Sequence, residues 1–210
     1  MKTLLSRLRG RRAAGPADAG DSLPATSLLP PDEVIAPPVQ WADRATELKA
    51  KPTDPAEAAR QLLKLWRGDA PLAAIGDAAA PRLAPWLAAA DVASGQQPIL
   101  QDEGGDFLLV LLEGRVSVER QHPGGAATRL FEARAGDLLG EMALFDGGPR
   151  FCACRTLTPC TLAVLDSGAL QRLMSDDPAL AAAVLASITR RLSLRLRQTG
   201  ARLSALLAPQ

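Results

Sequence analysis

From Asp91 to Leu165 the chain is cut by glycine-containing turns into short apolar runs, and no other feature limits its possible folds as much. Upstream, Ala59, Leu62, Leu63 and Trp66 recur at three- and four-residue steps, the spacing of one helical face. At Val92 that period is lost. Ser94-Gly95 precedes Ile99-Leu100, and an acidic, glycine-bearing run, Asp102 to Asp106, precedes the continuous apolar stretch Phe107 to Leu112. Glu113-Gly114 makes a tight turn, after which Val116 and Val118 alternate with polar residues. His122-Pro123-Gly124-Gly125 turns again, Leu130-Phe131 lie on the next strand, and Gly136-Asp137 turns into Leu138-Leu139. Leu162, Val164 and Leu165 close the series. Short strands joined by glycine turns at this spacing predict an antiparallel β-roll or jelly roll. The expected class is α+β, mainly β, with N-terminal helices and a long C-terminal helix.

Within the series, Ala135 to Arg155 reads AGDLLGEMALFDGGPRFCACR. The order is glycine, carboxylate, short helical turn, glycine hinge, arginine, strand. A helix N-terminus presents free backbone N–H groups and favours an anion. Gly140 has no Cβ, so its backbone can approach such an anion closely. Arg150 returns after the Asp146-Gly147-Gly148 hinge and offers a planar fork that suits phosphate oxygens. Glu141 fits an anion site only if it accepts a hydrogen bond from a hydroxyl. A ligand with one phosphate and a nearby sugar hydroxyl satisfies both groups. The bland alternative is a capped surface helix with a glycine turn and a solvated arginine.

The stretch GEMALFDGGPRFCA resembles the phosphate-binding cassette of cyclic nucleotide-binding domains, and SGQQPILQDEGGDFLLVLLEGRVSV resembles the family's early strands. The resemblance covers Asp91 to Leu165, and the following helices by position only. It implies that Glu141 takes the ribose 2′-hydroxyl and Arg150 the cyclic phosphate, with Gly140, Met142 and Ala143 lining the phosphate through their backbone. Phe151 and Cys152, which follow the arginine, complete the implied nucleotide-binding set. Phe151 departs from the family pattern, where alanine, serine or threonine is usual; a hydroxyl there can bond the phosphate and, as threonine, assist guanine. Two outcomes are open for the Phe151 ring: it fills the pocket, or it swings aside and lies against the nucleotide.

The implied organisation has four parts. Residues 1–40 hold a basic tail and a disordered Pro/Ala-rich tether; 41–90 are a helical lead-in; 91–166 are the roll, with its cassette at 139–155; 167–208 are C-terminal lid and dimerisation helices. Met1 to Arg12 has five basic residues and no acid and reads as a solvated tail, a membrane-surface contact being the alternative. Six prolines between Ala13 and Pro38 mark the tether. Asp54-Pro55 and Asp177-Pro178 are helix starts, an N-cap followed by a proline in the first turn. Trp66 is expected in the core, and Ala73 to Ala90 as short helices. Beyond Pro178 a leucine stripe, Leu185 to Leu206, implies a homodimer, its five arginines lying along the flanks in solvent and Gly200 loosening the helix.

Charges nearly cancel, 24 basic against 23 acidic, so no global electrostatic partner is implied. No apolar run reaches the ~18 residues of a membrane span. Three cysteines, Cys152, Cys154 and Cys160, fit a reducing cytoplasmic compartment and read as small packing residues rather than a metal or redox site. Neither G-x-x-x-x-G-K-[ST] nor G-x-G-x-x-G occurs, and the one histidine, His122, sits in a turn, so no enzyme activity and no cofactor are expected. Only 55 residues follow Arg155, and the roll and its helices use them, so no DNA-reading helix-turn-helix is expected. Two functions follow. One is a regulatory module that senses a cyclic purine nucleotide, cAMP first, and signals to a protein effector through its C-terminal helix. The other is a ligand-free module that serves as an interaction or dimerisation scaffold.

Overall fold

A computed structural model describes residues 37–208, Pro123 excepted. Residues 1–36, with the expected basic tail and most of the expected tether, lie outside the described residues. The lead-in begins with helix α1 (Trp41–Leu48), a two-residue strand β1 (Lys51–Pro52) and helix α2 (Pro55–Leu65). Asp54 caps α2, its Oδ1 accepting from the Ala56 N–H at 2.9 Å, and Pro55 takes the first turn, as the dipeptide predicts. Short helices α3 (Ala70–Ala73) and α4 (Ala79–Leu83) follow, with single 3-10 turns after each.

The roll consists of β2 (Ala88–Val92), β3 (Phe107–Glu113), β4 (Val116–Gln121), β5 (Ala127–Ala133), β6 (Leu138–Leu139), β7 (Ala153–Thr156) and β8 (Cys160–Asp166). One sheet has the order β1-β2-β8-β3-β6 and the other β5-β4-β7, and every strand pair within them is antiparallel. Helix α5 (Glu141–Asp146) sits in the β6–β7 connection, and α6 (Ser167–Asp176) and α7 (Pro178–Leu207) end the described chain. The expected class, a β-roll flanked by helices, is the observed one.

The unbroken apolar run of β3 now has its reason. Its side chains alternate between two cores. Leu108, Val110 and Leu112 face the helices and pack with Leu62, Trp66, Leu173, Leu180 and Ile188. Phe107, Leu109 and Leu111 face the roll interior with Val116, Leu139 and Leu162. A strand buried on both faces leaves no polar position between its ends.

Three features differ from expectation. The stretch expected to be helical contains strands: β1 at Lys51–Pro52 pairs with β2, and β2 starts at Ala88 because β8 lies alongside and pairs it from Ala88↔Val164 to Val92↔Cys160. Gly200 neither ends nor interrupts α7, which is helical from Pro178 through Leu207. The arginines of α7 are not all in solvent. Asp69, at the start of α3, is 1% exposed and accepts from Arg190 Nη1 at 2.7 Å and Arg191 Nη2 at 2.9 Å. Arg191 also lies over the Trp66 ring at 4.3 Å, and the Trp66 indole N–H donates to the Gly136 carbonyl at 2.9 Å. Trp66 is thus core, as expected, and it forms part of the joint that fixes α7 to the roll. Burial pulls the Arg191 guanidinium below its ordinary value, and Asp69 pulls it back.

Asp69→Asn removes the one negative charge that both guanidiniums meet. Breaking a buried ion pair from one side costs about 3–5 kcal/mol, and the lower end applies because Arg190 can turn to water. In urea unfolding, the variant is expected to lose about 3 kcal/mol of stability with an unchanged denaturant slope. An unshifted midpoint would show that the joint contributes nothing net.

Candidate functional site

The β6–β7 connection is arranged around Arg150, which is 1% exposed although it carries a full charge. Its guanidinium lies over the Phe107 ring at 4.5 Å, and its Nη1 donates to the Gly140 carbonyl at 2.5 Å. Glycine lines both sides of the passage. A Cβ on Gly105 would fall on the guanidinium itself. One on Gly140 would come within 2.5 Å of Nη1 and 2.7 Å of Ile99 Cδ1. Gly140 also has φ 74°, a left-handed conformation that starts α5. The space that a Cβ of either glycine would fill is taken by the arginine. Backbone pairing fixes the stem: Arg150 N donates to Glu103 O at 2.8 Å and Asp102 N to Arg150 O at 2.9 Å.

Nε and Nη2 of Arg150 are buried and meet no acceptor among the described residues. An unpaired buried donor costs about 1–3 kcal/mol, so such an atom is a place to look for a ligand. Burial pulls the Arg150 guanidinium below its ordinary value, an effect that Glu103, Cys154 and Asp106 oppose.

Glu141 opens α5 and is buried. Its Oε1 accepts from Arg195 Nη1 at 2.8 Å, and Arg195 Nη2 donates to the Leu138 carbonyl at 2.8 Å. Arg195 belongs to α7, one helical turn beyond Arg191, so the helix that Asp69 fixes also reaches the cassette. This is the second departure from arginines lying in solvent.

The Phe151 ring does not plug the site. It is 47% exposed, and Arg120 stacks on it at 4.1 Å while donating to the Phe151 carbonyl. Of the two outcomes open for this ring, the structure has it aside, at the rim.

Residues 91–177 match the family model of the cyclic nucleotide-binding domain. This segment belongs to that family. Over 102 residues, 49% of this chain and 46% of the relative, the sequence is 30% identical to the CRP-like cAMP-activated global transcriptional regulator of Mycobacterium tuberculosis. The chain thus spans about half the length of the curated relatives it matches. A solved cyclic nucleotide-binding domain from Methylobacillus flagellatus superposes with a TM-score of 0.66 at 25% identity, covering 74% of this chain and 87% of that one. The N-terminal domain of a Streptomyces coelicolor transcriptional regulator is 34% identical with a TM-score of 0.50, covering 61% of this chain and 90% of that one.

In this cyclic nucleotide-binding domain, all seven residues singled out in the sequence come together around one cavity of 560 Å³. Gly140, Glu141, Met142 and Ala143 line it from the start of α5, and Arg150, Phe151 and Cys152 from the segment that follows the hinge. The wall that sequence reasoning missed comes from α7: Arg195, Gln198, Thr199 and Arg202. All four lie beyond the matched segment, and the only signal for them was the run of basic residues on the last helix.

All three cysteines are free. Burial pushes the Cys152 thiol up to about 11 and raises Cys154 further. Cys152 is therefore expected to alkylate slowly near neutral pH, its rate rising with pH towards about 11 as the thiolate forms. Rapid labelling of the native protein near neutrality would contradict this environment.

Proposed function

We propose that the chain is a regulator that binds a cyclic purine nucleotide, cAMP first, in the cassette cavity and signals through α7. The observation that carries this reading is Arg150: a buried guanidinium in the cavity wall with two of its three nitrogens lacking an acceptor among the described residues. A phosphate gives it both charge and acceptors. Glu141 supports the same reading. Arg195 takes its Oε1, and Oε2 is left for a sugar hydroxyl. The mode of action proposed is binding.

Phe151 sets the base preference. Its side chain has no hydroxyl for phosphate or guanine, so cAMP is expected to bind at least as well as cGMP. Calorimetric titration of the full chain with both nucleotides tests this. Arg150→Ala is expected to lose about 2–4 kcal/mol, tens- to several-hundredfold in affinity. Equal affinities for wild type and Arg150→Ala would remove the arginine from the site. No heat with either nucleotide would favour the other reading, a ligand-free interaction module, for which the Glu141–Arg195 pair is the specific argument.

Signal output is assigned to α7 because Arg195 touches the cassette while the same helix carries exposed leucines further on. Leu196, Leu203, Leu206 and Leu207 are 73%, 55%, 82% and 73% exposed. Such a stripe suits a second copy of the helix in a homodimer, from which a protein effector takes the signal. No described helix is long and apolar enough to cross a membrane, and a cytoplasmic setting is proposed on the strength of the free thiols. Static light scattering at tens of micromolar is expected to give twice the 22.0 kDa chain mass, and Leu196→Glu with Leu203→Glu to return it to the single value. A wild-type monomer would exclude the dimer.

A further inference from the structure

Arg150 faces a competitor for its ligand. The loop that precedes β3 carries two carboxylates near it, Glu103 and Asp106, and both draw on its charge. The Nε–Nη2 edge of Arg150 lies over Gly105, between those two acids in the chain. Neither acid bonds it. Glu103 Oε2 is held by Arg44 Nη2, and its Oε1 by the Leu100 N–H at 3.1 Å. Asp106 Oδ2 is held by Gln40 Nε2 at 2.7 Å and by Ser167 Oγ at 3.4 Å, while its Oδ1 is buried without a partner among the described residues. Gln40 and Arg44 are close together at the start of α1, far outside the segment that matches the family. Arg44 is 5% exposed, a costly place for a charge on a short surface helix unless its partner matters. The same segment is tied to the loop by the backbone, Val39 N donating to Gly104 O at 3.0 Å, and by Trp41, which meets Phe107 edge-on at 5.5 Å beneath the guanidinium.

We propose that residues 40–44 keep the anion site available by holding Glu103, and Asp106 through its Oδ2, turned away from Arg150, with which these carboxylates otherwise pair. Docking of α1 and anion binding are then coupled. When α1 leaves, Glu103 loses Arg44 and turns to the unpaired nitrogens of Arg150, and the phosphate must displace it. Arg44 and Gln40 are positioning residues: they touch no ligand and act through the acids. The effect on nucleotide affinity rests on the function proposed above; the competition for Arg150 does not.

The test uses the full chain and two readouts. In nitrogen-15 spectra without ligand, the Arg150 Nε–Hε resonance is assigned by its absence from Arg150→Lys. It is expected to move when Arg44→Gln frees Glu103, and not to move when Arg44→Gln is made on a Glu103→Gln background. In cAMP titrations, Arg44→Gln is expected to weaken binding roughly five- to tenfold, at the low end of couplings between sites. On the Glu103→Gln background the same substitution is expected to change affinity less than about twofold. A merely structural Arg44 weakens binding equally on both backgrounds, and that result overturns the proposal, as does a resonance that ignores Arg44→Gln. If wild type binds no cyclic nucleotide, the function proposed above fails while the resonance still decides this inference. Should Arg44→Gln not fold, the exposed Gln40→Ala, made with and without Asp106→Asn, decides it by the same pattern with a smaller shift.

Discussion

The burial of one guanidinium organises the middle of this protein. Arg150 has Phe107 under its face and glycine on either side at Gly105 and Gly140. Each neighbour is what a buried arginine requires. An aromatic face contributes about 0.5–2 kcal/mol of cation–π attraction, and the absence of two Cβ atoms makes room for a group that is otherwise too wide. The Gly140 carbonyl takes one of its nitrogens. Among the described residues none accepts from the other two.

A second set of charges links that cavity to the helices. Asp69 binds two successive arginines of α7, and one turn later Arg195 binds Glu141. The lead-in and the cassette therefore hold the same helix on the same side. Gln198, Thr199 and Arg202 of α7 complete the cavity wall, and exposed leucines, Leu194, Leu196 and Leu203, are interspersed with them along the same helix. Glu141 and α7 are thus in direct contact through Arg195.

Much of this was legible in the sequence, where the determining contacts are local. The continuous run of β3, the Asp-Pro helix starts and the Gly-Glu to Pro-Arg cassette each spell out their structure within a few residues. Strand β2 was not legible, because alanine has little strand preference and its partner β8 lies some seventy residues on, as in Ala88↔Val164. The ion pairs were hidden for a related reason. Arg191–Asp69, Arg44–Glu103 and Arg195–Glu141 join residues 122, 59 and 54 positions apart. Singly, each of those residues reads as an ordinary solvated charge. Phe151 was legible as a departure from the family pattern, but its direction was settled by Arg120, which only the β4 strand brings beside it.

The central claim is that the Arg150 guanidinium is the seat of a phosphate. The most direct measurement is a crystal structure of the full chain grown with saturating cAMP. The account requires phosphate oxygens at hydrogen-bond distance, about 2.7–3.0 Å, from the Arg150 guanidinium and the ribose hydroxyl on Glu141. A cavity empty at saturating nucleotide, or a nucleotide whose phosphate sits on Arg202 with Arg150 still unpaired, would contradict it.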